Sequence, residues 1–260
     1  MKPDQILALA EKILAMGVRT LVLQSGDDFY YTSDMICSLI RKIKKICPQT
    51  AVTLSLGERP LSEYKAFYQA GADRYLLKHE AANFELYKKL HPGQNWKNRI
   101  SRLEYMKKIG FQIGAGGMVG APFQTLADLA DDLLFVRDIY ADMAGFGPFI
   151  PQHNTPLADH KQGRADLTLK VMALTRILVP EILLPVTTAF ETVCADNGLF
   201  QGLMSGANVI MPDFTPEEER GKYAIYDHKA RITLESAVSA AEKAGLTVNW
   251  GRGDSPKNRV

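Results

Sequence analysis

Lys78-His79-Glu80 closes the apolar stretch RYLL, and Gln24-Ser25-Gly26-Asp27 closes TLVL. Both put polar or charged groups where a buried strand would end. A carboxylate such as Glu80 at a strand's carboxyl end can accept hydrogen bonds from a ribose or an ammonium group. Lys78 can hold an anionic group or, as an amine, form a Schiff base. His79 alternates to the other side of the strand and is expected behind the site or on the surface. In the first loop Gly26 permits a turn with positive φ, which turns backbone groups and Asp27 toward the ammonium or carboxylate of an amino acid. The same Ser-Gly-Asp residues also suit a plain helix N-terminus.

Arg99, Lys97 and Arg102 lie on the helical pattern WKNRISRL, and spacing alone does not choose among them. GAGGMVGAP supplies Gly114, Gly116, Gly117 and Gly120, small enough for a flat group to lie against the backbone. Met118 within it can touch an adenine or a thioether, or simply pack. Thr53 and Ser55 share one side of AVTLSL by the two-residue period. Thr187 and Thr188 alternate along PVTTAF, so one of them is expected to point inward. Such hydroxyls suit a small polar substrate or bond to neighbouring backbone. Cys37, Cys47 and Cys194 are scattered and read as packed or idle thiols with no metal to hold. The chain has no H-E-x-x-H, no phosphate loop and no defensible Ser-His-Asp order, so ordinary hydrolysis and phosphoryl transfer have little support.

The elements that must carry these residues alternate. Strand patterns fall at 20–24, 51–56, 74–78, 111–116, 142–147, 185–190 and 208–212. Helical patterns fall at 33–46, 61–70, 96–109, 125–139, 166–179, 195–205 and 233–244, after an opening amphipathic helix with Ile6, Leu7, Ala10, Ile13 and Leu14 in register. AMGVRTLVL, QAGADRYLL, KIGFQIGAG and SGANVIMP each read as helix end, Gly at C′, then strand. Repeated joints of this kind mark an α/β fold of parallel βα units. Polar or glycine-rich stretches follow nearly every strand, including GFGPFIPQHNTPL after the fifth, which favours a (βα)8 TIM-type barrel over an open sheet. Seven strands can be counted and the chain opens on a helix, so the barrel is expected to be incomplete, with seven of eight parallel strands in one domain over 1–260. The tail WGRGDSPKNRV reads as loop, and its RGD triplet as chance.

Composition narrows the partners. Hydrophobic residues make up 46 %, charged residues 23 %, and the net charge is +2, so nothing implies nucleic acid or an anionic membrane surface. No apolar run approaches the roughly 20 residues of a membrane span. A cytoplasmic protein acting on a small molecule is expected.

The ordered set TLVLQSGDDFYY, VTLSLGER, GADRYLLKHEAAN, NRISRL, GAGGMVGAPFQT, GFGPFIPQHNTPLA, PVTTA and SGANVIMPDFTP resembles the radical S-adenosylmethionine (SAM) superfamily. Within it the chain is similar to the biotin synthase-like group, above all to the HydE family of [FeFe]-hydrogenase maturases. The methylornithine synthases share some of the stretches. The resemblance implies a barrel in which a [4Fe–4S] cluster reduces SAM to a 5′-deoxyadenosyl radical that acts on a small substrate. By it, Gln24-Ser25-Gly26-Asp27 occupies the place of the motif holding the methionine amino group. Glu80 and Arg99 match residues that bind SAM's polar groups, Arg99 its carboxylate, and Met118 lies near the nucleoside. Thr53, Ser55, Lys78, Thr187 and Thr188 would line a cavity for a small cysteine-derived or iron-bound substrate. Other hydrogenase maturation proteins are the implied partners.

One departure matters. The family's C-x3-C-x2-C motif, which binds the cluster after the first strand, occurs nowhere in this sequence, and HKARITLESAVSAAEK lacks the cysteines of an accessory cluster. Three thiolates are needed for such a cluster. A chain without them is expected to be inactive, and an N-terminally truncated sequence explains both the absent motif and the absent strand. Two alternatives remain: a non-catalytic barrel that binds SAM or a partner, and an aldolase-type lyase using Lys78.

Overall fold

A computed structural model of the protein describes residues 1–194, 197–223 and 225–257. The chain forms two compact units, Met1–Leu77 with Lys97–Gly114 and Asn249–Pro256, and Lys78–Trp96 with the described residues of Ala115–Val248 and Lys257.

The first unit begins with α1 (Pro3–Ala15), β1 (Thr20–Gln24), α2 (Ser33–Ile46), β2 (Ala51–Ser55), α3 (Leu61–Ala70) and β3 (Arg74–Leu76). Helix α2 buries Ile36, Cys37, Leu39, Ile40 and Ile43, the stripe its helical period predicts, and Thr32 caps it by accepting from the Met35 N–H. Burial raises the pKa of the Cys37 thiol, which suits a packed side chain. Strands β1 and β2 pair in parallel with Val22 beside Thr53 and Gln24 beside Ser55. Three aromatics knit the layer under the sheet: Tyr75 meets the rings of Tyr64 and Phe111 edge-on at 5.0 and 6.0 Å.

The second unit holds α4 (Phe84–Leu90), and α5 (Trp96–Lys108) leads from it back into the first. Strand β4 (Gln112–Val119) passes from the first unit into the second after Gly114. Then follow α6 (Leu126–Asp138), β5 (Met143–Pro148), α7 (Ala165–Leu178), β6 (Pro185–Val186), α8 (Thr188–Val193), α9 (Gly198–Met204), β7 (Val209–Ile210), α10 (Glu217–Arg220), a 3-10 turn and α11 (Leu234–Lys243). Phe146, Met172, Ile182, Leu184, Val186 and Phe190 lie at the centre of its core, all fully buried. The strand order is β1-β2-β3-β4-β5 in one sheet and β6-β7 in a second, with a parallel bridge from Met143 to Leu183 linking β5 toward β6. The strands therefore follow one another in chain order, as βα units require.

All seven sequence-predicted strands are present. The four expected joint glycines, Gly17, Gly71, Gly110 and Gly206, have φ of +90°, +108°, +109° and +102°, the helix-ending geometry that L-residues disfavour. Strands β2, β3, β6 and β7 are shorter than predicted, and the loss at β6 changes the reading of two site candidates. PVTTAF was expected to be extended to 190, but only Pro185–Val186 is strand, and Thr187 turns the chain into α8 by capping the Phe190 N–H through Oγ1. A threonine can serve either structure, and here its capping role wins. The alternation argument for Thr187 and Thr188 therefore does not hold. Helices α4 and α8 fall in stretches not predicted as helix, and the predicted helix at 195–205 is α9, Gly198–Met204; positions 195 and 196 lie outside the described residues.

The tail is loop as expected, but its RGD triplet is tied down. Within the first unit, Arg252 and Asp254 lie across the amino ends of three strands. Thr20 and Arg74 donate to the Arg252 carbonyl at 2.7 Å each, and Arg74 and Gln112 donate to Asp254 Oδ1 at 2.9 and 3.0 Å. Arg252 also reaches Asp73 at 2.8 Å. Burial pushes the Asp254 carboxyl up, but hydrogen bonds from Arg252, Arg74 and Gln112 outweigh it and hold the pKa well below the usual carboxylate range. A depressed pKa stabilises the fold above the unfolded value of about 3.9, and that contribution fades as pH falls through the folded value. We expect Asp254→Ala to lower stability at pH 7 by about 1–2 kcal/mol, a figure discounted for the half-exposed carboxylate. The difference from wild type should shrink between pH 5 and 2, read by thermal melts; a constant difference would contradict the tether.

Candidate functional site

In the first unit the loop after β1 is shaped by its own polar groups. Ser25 N–H donates to the Ser55 carbonyl at 3.1 Å, which carries β1–β2 pairing one step past the strand end. Gly26 takes φ +67°, and Asp28 N–H returns to the Gly26 carbonyl at 2.9 Å in a tight three-residue turn. Asp28 Oδ1 then accepts from Tyr30 N–H at 2.9 Å, an Asx turn.

The loop after β2 grips this turn. Glu58 N–H donates to Asp27 Oδ1 at 2.7 Å. Arg59 is 2 % exposed, donates to the carbonyls of Asp28 and Tyr31 at 2.7 and 3.1 Å, and lies 4.7 Å from the Phe29 ring centre. Gly57 makes the approach possible. Its φ is +68°, and a Cβ there would sit 1.8 Å from Asp27 Oδ1. We expect Gly57→Ala to expel Asp27 from the Glu58 amide, lower stability by about 2 kcal/mol and speed amide exchange at Glu58. Unchanged exchange at Glu58 would contradict this reading.

Behind this loop stands a charge cluster. Glu58 pairs with Arg99 at 2.8 Å and with Arg102 at 3.2 Å. Arg99 is 8 % exposed in the first turns of α5, whereas Lys97 is exposed. The structure thus separates the three cations that spacing left equal. Arg102 also donates to the Arg59 carbonyl at 3.2 Å. Burial pushes the Tyr64 hydroxyl up to about 12, so it stays protonated while it accepts from Arg59 N–H at 2.9 Å. Thr53 is buried, and its Oγ1 has no hydrogen-bond partner among the described residues; Ser55 is half-buried.

The second unit carries the other candidates. Lys78 is half-buried and passes over β5, where a Cβ on Gly145 would meet its Cε at 3.6 Å. Glu80 is half-buried with φ +68°. Its N–H donates to the Gly116 carbonyl at 3.0 Å, and it forms a parallel bridge with Gly117. Met118 is half-buried, with its carbonyl held by Gln124 Nε2 at 2.9 Å. Thr187 and Thr188 open α8, both half-buried. His79 is neither exposed nor idle: it is fully buried against Asp132.

Glu58, Arg59 and Asp132 escaped the sequence reading. The phrase LGER carried the signal for two of them, since a glycine at a strand end followed by two opposite charges is the pattern of a loop that must both turn and clamp. Cys37 and Cys47 sit in and just after α2, and ten helical positions separate them by about 15 Å. Cys194 ends α8 in the other unit, its thiol raised by burial. No group of three or more His, Cys, Asp or Glu side chains among the described residues is arranged to hold a metal ion. None of the described helices is long and apolar enough to cross a membrane.

Chemically, the first unit offers a fixed turn with an acid, a buried arginine and an unpaired hydroxyl. The second offers a carboxylate on a strained turn, a lysine and a glycine-rich strand. Each set suits the polar parts of an amino acid or nucleoside.

The chain is similar to several known proteins. The chain is 48 % identical over 229 residues to the [FeFe] hydrogenase maturase subunit HydE of Thermotoga maritima, covering 88 % of this chain and 65 % of that protein. It is 25 % identical over 248 residues to the 3-methylornithine synthase of Methanosarcina acetivorans, covering 94 % of this chain and 69 % of the relative. The crystal structure of methylornithine synthase superposes with a TM-score of 0.82 at 21 % identity, over 95 % of this chain and 74 % of that one, which shows a shared α/β barrel-type fold. The radical SAM superfamily profile matches residues 1–136, more than half of the sequence. The chain therefore belongs to the radical SAM superfamily.

Proposed function

We propose that this chain supplies the SAM-binding and substrate-binding framework of a radical SAM enzyme of the HydE kind, acting in assembly of the [FeFe]-hydrogenase active site on a small cysteine-derived or iron-bound substrate. The observation that carries this reading is Arg99, a nearly buried cation kept in place by Glu58 within the unit that also holds the Gln24–Asp27 turn. A methylornithine synthase-like activity is the more distant reading, since identity to that enzyme is 25 % against 48 % for HydE.

The residues present fit SAM. Arg99 would take the methionine carboxylate by charge-assisted hydrogen bonds. The turn Gln24-Ser25-Gly26-Asp27 would accept the ammonium group, and Glu80 would accept from the ribose or the ammonium. Met118 would lie against the nucleoside. The unpaired Thr53 hydroxyl, with Ser55, Lys78, Thr187 and Thr188, would face the substrate. Small maturation intermediates and other maturation proteins are the proposed partners, in the cytoplasm.

The residues present do not fit a [4Fe–4S] cluster. Such a cluster supplies the electron that opens SAM in this superfamily, and it needs three thiolates close together. Cys37 and Cys47 stand too far apart to share one, and no group of three or more His, Cys, Asp or Glu side chains among the described residues is arranged to hold a metal ion. The chemistry proposed for these residues therefore stops at binding and orientation.

The test is anaerobic. A strand bearing C-x3-C-x2-C is fused ahead of Met1, iron and sulfide are reconstituted, and the reduced protein is given SAM. The fusion should release 5′-deoxyadenosine and the unfused chain should not. A loaded, reduced fusion that binds SAM yet releases none would overturn the radical assignment.

A further inference from the structure

The second unit buries an acidic side chain that SAM binding does not call on. Asp132 of α6 is 0 % exposed, as is His79; its carboxylate takes hydrogen bonds from His79 Nε2 at 3.1 Å and Ala82 N–H at 2.6 Å, and no lysine or arginine pairs with it among the described residues. Its second oxygen has no hydrogen-bond partner among the described residues. Burying a carboxylate with so little compensation is costly, so a gain must appear elsewhere.

The gain is visible one residue away. Ala81 N–H donates to the His79 carbonyl at 2.9 Å, and Glu80 between them has φ +68°. That is the γ-turn with positive φ, a rare and strained turn for any residue with a Cβ. Such strain persists only where the surroundings fix it, and here they do so from two elements. On β4, Gly116 N–H donates to His79 Nδ1 at 3.1 Å, while the Gly116 carbonyl accepts from Glu80 N–H at 3.0 Å. On α6, Asp132 Oδ1 takes His79 at one end of the turn and Ala82 at the other. Because Nδ1 accepts from Gly116, the ring proton sits on Nε2 and points at Asp132, so only the neutral imidazole fits both partners. The Phe135 ring, 4.5 Å from the imidazole centre, closes the remaining side.

We propose that His79 and Asp132 are positioning residues that lock the strained γ-turn at Glu80 and so aim its carboxylate at the ligand. The proposal rests on the reading of Glu80 as a SAM-binding residue, and it adds the device that holds Glu80 there.

Two measurements on the full chain separate the claims. The first is amide hydrogen exchange at Glu80 and Ala81, whose N–H groups make the turn and its strand contact. His79→Leu should speed both at least about tenfold relative to buried amides of β5, as expected for loss of the bonds that close the turn. His79→Asn keeps an acceptor for Gly116 and should restore part of the protection. If His79→Leu does not fold, His79→Gln, which keeps a donor toward Asp132 but not the Gly116 acceptor, is read instead. The second is SAM affinity in a double-mutant cycle. His79→Asn should weaken binding severalfold in the wild-type background and leave Glu80→Gln unchanged, because it acts through Glu80. Additive losses, or unchanged exchange at Glu80 and Ala81, would overturn the proposal. If Glu80→Gln alone leaves SAM affinity at the wild-type value, the ligand assignment of Glu80 fails, and the exchange data still decide the locking role.

Discussion

Gly116→Val is expected to leave little or no soluble protein. Gly116 lies on β4 with φ +136°, and a Cβ there would fall 2.1 Å from the Gly145 carbonyl oxygen and 2.7 Å from its carbon. These are backbone atoms of β5, so no side chain can rotate away. The same residue anchors His79 and Glu80 through its N–H and carbonyl. A clash with fixed backbone, together with a disfavoured φ, places the loss above about 4 kcal/mol, a large part of the stability of an ordinary domain. Gly145→Ala is the control on the neighbouring strand. Its Cβ would make ordinary contact with Lys78 Cε at 3.6 Å, so near-normal yield and melting temperature are expected. A soluble Gly116→Val protein that melts with the wild type would contradict the close approach of β4 and β5.

Arg99→Ala should weaken SAM binding by about tenfold to a hundredfold, the range for losing a charge-assisted bidentate contact. Fold stability should fall far less, because Arg102 still pairs with Glu58 at 3.2 Å. Arg99→Lys should recover only part of the affinity, since an ammonium cannot reproduce the planar fork. Equal affinity of wild type and Arg99→Ala, measured by equilibrium dialysis with radiolabelled SAM, would remove Arg99 from the site.

Much of the fold could be read from local patterns. Gly17, Gly71, Gly110 and Gly206 each end a helix with positive φ where the sequence places a C′ glycine, and this repeated joint gave the parallel βα order. What could not be read was tertiary choice. Thr187 could continue a strand or cap a helix, and only the Phe190 amide decides it. The RGD triplet has no local pattern at all; its tether to Arg74 and Gln112 depends on residues more than 140 positions earlier. His79 shows the limit most clearly. Alternation placed it behind the site or on the surface, but nothing in KHEAAN reveals the buried aspartate on α6 that it meets. Likewise, the loop Gln24–Asp27 was visible from its glycine and acids, whereas the Arg59 clamp on it acts across the fold rather than along the chain.

The central claim is that these strand-end residues hold SAM, and a calorimetric titration of the folded wild-type chain with SAM tests it most directly. The account predicts saturable binding of one SAM per chain with Kd below about 1 mM, weakened at least about tenfold by Arg99→Ala. A folded wild-type chain that shows no saturable binding at SAM concentrations several times that value would contradict it.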